Sequence, residues 1–181
     1  MINGVKCLLL MGCIFLIACN PLSEKEGMQK AEVDKASNGF EPQGTALVSG
    51  ELTPANHWSG QWRVINIWAE WCKPCWQEMP ELNQFFAEQE NSGIRLLGFN
   101  FDELEQAELV ILKDTMSIQF PVLTHWPDVW TKPEIRGLPA TVILSPDDQI
   151  INILWGPQSL DSLNKGIEAS KKVIKDRVEE G

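Results

Sequence analysis

Short apolar runs punctuate the chain from Ala46 onward, and their periods predict its elements. Trp62–Trp68 (WRVINIW) is rich in β-branched residues and predicts a buried strand. Residues 94–101 (IRLLGFNF), 120–124 (FPVLT), Ala140–Leu144 (ATVIL) and Ile150–Trp155 (IINILW) predict four more. Between the first two strands the period changes. Met79, Leu82 and Phe86 are spaced three and four apart, one face of a helix over residues 74–90. Pro80 lies inside that helix and is expected to kink it, because it removes a backbone donor. A second helix is predicted over 104–116, with Leu109, Leu112 and Met116 as its apolar face. A third runs from 160 to about 178 through Leu163, Ile167 and Ile174; Lys171, Lys172 and Lys175 suit the negative end of its dipole. Helices between the early strands imply a right-handed βαβ unit. The cluster Ser145-Pro146-Asp147-Asp148 closes the last two strands into a hairpin. The expected architecture is α/β, a central mixed sheet flanked by helices.

The first 45 residues follow a different pattern. Residues 1–19 read MINGVKCLLLMGCIFLIAC: one cation, Lys6, then an apolar run from Cys7 to Ala18. Twelve residues are too few to cross a bilayer, which takes about 20, so a secretory signal peptide is expected rather than a membrane span. A buried N-terminal helix is the other reading. Leu16-Ile17-Ala18-Cys19 resembles the lipobox of bacterial lipoproteins. That resemblance implies cleavage before Cys19, diacylglycerol on its sulfur and, with Asn20 following, sorting to the outer membrane. Stable anchoring takes more than one acyl chain, and lipoprotein acylation supplies at least two. Residues 20–45 are polar with scattered charges of both signs and cannot bury enough apolar area to offset chain entropy. They are expected to form a flexible tether with a reach of about 25–30 Å. The expected divisions are a signal peptide at 1–18, a lipidated tether at 19–45 and a folded domain at 46–181.

Composition narrows the function classes. The 181 residues carry 15 Lys+Arg against 25 Asp+Glu, a net charge of −10, which argues against a nucleic-acid partner. An apolar share of 44% suits a globular core and excludes a multi-span membrane protein. Five cysteines, two of them inside the expected signal, are too few for a disulfide-stapled mini-domain. Eight Trp and no Tyr form a bias that the sequence itself does not explain.

The chemistry concentrates in Trp71-Cys72-Lys73-Pro74-Cys75, where the first core strand gives way to the first helix. A helix N-terminus offers unsatisfied N–H groups and partial positive charge, which stabilise a thiolate and lower the pKa of a thiol placed there. Lys73 adds a cation, and Pro74 fits the first turn, where its missing donor costs nothing. Two intervening residues bring the sulfurs to one edge, close enough to bridge. Cys72 is expected to be the exposed nucleophile and Cys75, one turn deeper, the resolving thiol; exchange through a mixed disulfide needs both. A structural disulfide would close almost no loop here. Half of a zinc site would need a second Cys/His pair, and only Cys19, His57 and His125 remain.

The stretch 66–75 (NIWAEWCKPC), with Glu78, Pro80 and the distant Gly137-Leu138-Pro139, resembles the thioredoxin superfamily. Within it the match is to the membrane-anchored TlpA/ResA group of extracytoplasmic thiol–disulfide oxidoreductases, over roughly residues 46–175. The resemblance implies a thioredoxin-like fold and a cis peptide bond at Pro139, opposite the cysteine pair. It implies that Leu138 offers backbone groups to an extended substrate, that Trp71 shields the sulfurs, and that Lys73 and Pro74 take part in substrate contact. It implies that Glu78 tunes the thiols and moves protons. Asn66 stands where cytoplasmic thioredoxins have a buried Asp, which puts more weight on Glu78. Trp126, Trp130 and Trp155 are read as buried core, with a partner groove as the other reading, and Asp147-Asp148 as a hairpin turn.

The function expected is a lipid-anchored thiol–disulfide oxidoreductase on the periplasmic side of a bacterial membrane, a reductase of protein disulfides. Its two-electron chemistry needs no metal or organic cofactor. The resemblance implies clients such as apocytochrome c or other secreted proteins, and electrons from a membrane thiol transporter of the DsbD/CcdA kind. The alternative is a copper metallochaperone using the same pair, since soft thiolates suit Cu(I).

Overall fold

Seven strands form one mixed sheet in a computed structural model that describes residues 45–48 and 51–180. In chain order the elements are β1 (Thr45–Val48), β2 (Glu51–Pro54), a 3₁₀ turn (Ala55–Trp58), β3 (Trp62–Trp68), α1 (Lys73–Glu88) and β4 (Ile94–Asn100). There follow α2 (Gln106–Thr115), β5 (Val122–Leu123), β6 (Ala140–Leu144), β7 (Ile150–Trp155) and α3 (Leu160–Glu179). The strand order is β2-β1-β5-β4-β3-β6-β7. β3, β4 and β5 are parallel neighbours; the other pairings are antiparallel. The five strands and three helices expected from the sequence are all present. The short hairpin β1–β2 is added to them, and Thr45 already pairs with Pro54. The expected signal peptide, Cys19 and nearly all of the tether lie outside the described residues. Among those described, no helix is long and apolar enough to cross a membrane.

Topology decides which face each helix covers. The steps β3→β4 and β4→β5 move the same way across the sheet, so right-handed crossovers place α1 and α2 on one side. One buried cluster joins Val64, Trp68, Leu96 and Ile143 of the sheet to Met79, Leu82 and Phe85 of α1, Leu109 and Leu112 of α2, and Leu163 and Ile167 of α3. The opposite face, with Ile65, Ile67, Leu97, Phe99, Val142 and Leu144, receives no α-helix side chain among the described residues. Trp58, Trp126 and Trp130 cover it instead. α1 runs as one element through Pro80, whose side chain faces solvent. α3 packs closely on β7 at Gly166, where a Cβ would come within 2.7 Å of Leu154. Arg63, fully buried on β3, bonds to Asp148 and to the Ser145 carbonyl in the β6–β7 turn, and its guanidinium lies 4.9 Å from the Trp130 ring centroid. The Asp147-Asp148 turn is therefore tied to the core by a cation.

Candidate active site

β3 ends at Trp68, and the chain turns through Ala69–Trp71 into α1, with Cys72 as its N-cap residue. The Cys72 N–H donates to the Ala69 carbonyl at 3.2 Å, and the Cys72 carbonyl accepts from Cys75 N–H at 3.0 Å. The Cys75 N–H also lies 3.3 Å from Cys72 Sγ, so the sulfur caps the helix. This is the anion-favouring position that a helix N-terminus provides. Pro74 occupies the first turn. Cys72 and Cys75 form a disulfide, with Cα atoms 5.3 Å apart. Cys75 has no exposed surface and Cys72 only 4%. The expectation of an exposed Cys72 is thus corrected: in the disulfide form only a sliver of it faces solvent, because the pair is seated in the core cluster under α1.

Glu78 lies three residues beyond Cys75, on the same side of α1. It is 2% exposed, so it is no solvated helix acid. Asn66 Nδ2 donates to its Oε1 at 2.8 Å, and the Gln158 backbone N–H donates to its Oε2 at 2.7 Å. Burial pushes the carboxyl up from 4.5 to about 7, against the pull of these two donors toward the charged form. Gln158 is held in turn: its side chain donates to the Gly156 carbonyl at 2.8 Å and accepts from Ser162 Oγ at 2.8 Å. Asn66, noted in the sequence only as a departure, is Glu78's partner. Gln158 acts through a main-chain donor, which leaves no mark in a side-chain pattern.

The Leu138–Pro139 peptide bond is cis. Ile67 pairs with Ala140, so Pro139 sits one step beyond, at the end of β3 from which the Cys72 turn departs. Leu138 is half-buried and packs against the cluster that holds both cysteines. Trp71 does not lie in the core. It is 66% exposed, donates from Nε1 to Asp102 at 2.9 Å, and meets Phe101 edge-on at 6.3 Å. Lys73 and Pro74 are exposed beside it. Trp155 is 48% exposed, which corrects its reading as core, whereas Trp126 and Trp130 are buried. Among the described residues no three His, Cys, Asp or Glu side chains cluster as a metal site would need.

The profile of the AhpC/TSA family matches residues 35–153. The chain belongs to the AhpC/TSA family. "Thiol-disulfide oxidoreductase ResA" of Bacillus thuringiensis subsp. konkukian is 23% identical over 138 residues, 76% of this chain and 78% of that protein. "Thioredoxin-like protein YneN" of Bacillus subtilis is 27% identical over 123 residues, 67% of this chain and 72% of that one. A thioredoxin family thiol:disulfide interchange protein from Chlorobium tepidum superposes with a TM-score of 0.56 at 18% identity, over 71% of this chain and 93% of the other. The fold is thioredoxin-like, as the resemblance implied.

Proposed function

We propose that this chain is a thiol–disulfide oxidoreductase that reduces protein disulfides outside the cytoplasm. The observation that carries the activity is the Cys72–Cys75 disulfide at the N-terminus of α1, with Cys72 Sγ accepting the Cys75 N–H. In the dithiol form, the Cys72 thiolate attacks one sulfur of a client disulfide. The client S–S bond breaks, the new Cys72–client bond forms, and the second client sulfur leaves as a thiolate. Cys75 then attacks Cys72, the mixed disulfide breaks and the first client sulfur leaves. Two electrons have moved to the client, and the pair is left as the disulfide seen here. Cys75 must lose a proton and the leaving thiolates must gain one. A carboxyl held at about 7 in the same turn of helix suits that exchange near neutral pH. The cis-Pro139 loop presents Leu138 to an extended client segment, a form of β-augmentation.

Cys19 carries the lipid anchor, the residues between it and β1 tether the domain, and the domain stands on the periplasmic side of the outer membrane. Clients are disulfides of apocytochrome c or other secreted proteins. A membrane thiol transporter of the DsbD/CcdA kind returns the pair to the dithiol. Direction is tested by the equilibrium potential of the Cys72–Cys75 couple against glutathione. A value of about −270 mV, that of thioredoxin, is expected; one of about −120 mV, the strong-oxidant range, reverses the assignment. Membrane fractionation of Cys19→Ala tests the anchor: release or failed processing is expected, and an unchanged membrane fraction refutes it.

A further inference from the structure

The face of the sheet opposite α1 carries a cavity of about 90 Å³, open to solvent on one side. Ile67 and Phe99, neighbours on β3 and β4, form its floor; Phe101, Trp126 and Ile135 wall it. Glu103 and Lys132 form an exposed ion pair at its rim, 2.6 Å apart. Glu103 keeps a left-handed backbone, φ +52°, to stand there. An apolar floor within a charged rim is the anatomy of a recognition pocket.

The cysteines lie in the cluster on the α1 face and the cavity on the opposite face, and two chain segments connect them. Phe101 meets Trp71 edge-on, and Trp71 directly precedes Cys72. Ile135 lies on the segment that leads into Leu138 and cis-Pro139, and floor residue Ile67 pairs with Ala140, just after that proline. A polypeptide held along Leu138 with its sulfur at Cys72 can run on toward Ile135, which lines the cavity. Its small size and apolar lining fit one side chain rather than a chain segment. We propose that this cavity is a specificity subsite that receives one apolar side chain, from the residue beside the client's cysteine. The inference rests on the oxidoreductase reading above and adds the client's local chemistry to it.

Two peptide–glutathione mixed disulfides test it, identical except for Leu or Gly on both sides of the cysteine. The full chain, in detergent and reduced beforehand, is mixed with each, and single-turnover rates are divided by its rate with glutathione disulfide. Burying one Leu side chain predicts a preference for the Leu peptide of about tenfold. Ile135→Asp, which places a charge in the wall, and Ile135→Trp, which fills the space, should each bring the ratio close to one. Ile135 is half-buried on a loop, and thermal melting of both variants shows whether they fold. Equal rates for the two peptides in the wild-type chain overturn the subsite. So does a preference that survives in a folded Ile135 variant. Failure to reduce either peptide or glutathione disulfide overturns the oxidoreductase reading itself.

Discussion

Replacing Glu78 by Gln should remove a stability slope that the wild-type chain shows across mildly acidic pH. The unfolded carboxyl titrates near 4.5 and the folded one at about 7. Between those values the folded chain binds the extra proton, so stability falls as pH rises. The contribution is fully present below 4.5 and is lost as pH passes through 7. Raising a pKa from 4.5 to about 7 at 1.36 kcal/mol per pH unit makes the loss about 3 kcal/mol. With only 2% of Glu78 exposed, solvent screens little of it. Urea unfolding of the oxidised chain, followed by Trp fluorescence at several pH values from about 4.5 to 8.5, gives the profile for wild type and Glu78→Gln. Other titrating groups are common to both, so the difference isolates Glu78. The wild type should lose about 3 kcal/mol relative to the variant over that range. A difference that stays constant with pH would refute the assignment of a buried, proton-holding carboxyl.

Asn66→Leu removes one donor from the Glu78 carboxylate, so its titration, read by carbon NMR of the carboxyl, should move further up; a downward move contradicts the bond seen here. Arg63→Leu leaves Asp148 and the Ser145 carbonyl without their cation and should cost about 2–4 kcal/mol in urea unfolding, whereas a loss below about 0.5 would show that the turn does not depend on it. Gly166→Val drives a side chain into Leu154 and should cost about 1–3 kcal/mol, measured by thermal melting. Trp71→Ala should change stability by less than about 1 kcal/mol, given its exposure, yet slow reduction of a protein disulfide such as insulin; an unchanged rate would remove Trp71 from client contact.

The sheet core and the cysteine pair were legible because each has a local signature. WRVINIW has the β-branched density of a buried strand, and WCKPC sits directly after it. The β1–β2 hairpin was not legible: its strands are four residues long and too short to show a period. Glu78 was visible as a residue but not as a buried one, because its burial depends on Asn66 and Gln158, 12 and 80 residues away in sequence. Two of the eight Trp acquire a physical reason from the fold. Residues 124–139 carry prolines at 127, 133 and 139 and form no helix over their face of the sheet. From an irregular backbone only large side chains reach far enough to cover it. Trp126 and Trp130 do so, edge to face at 6.0 Å, with Trp126 Nε1 donating to the Trp130 carbonyl. Cys72 was expected to be exposed because nucleophiles need access, yet α1 seats the disulfide within the core cluster.

The central claim is that Cys72 makes the first bond to a client and Cys75 releases it. In the full-length Cys75→Ser chain, incubation with oxidised insulin should leave a stable mixed disulfide, and mass spectrometry of its peptides should place the link at Cys72. A chain carrying Cys72→Ser that still exchanges with insulin, or a link found at any other cysteine, would contradict the account.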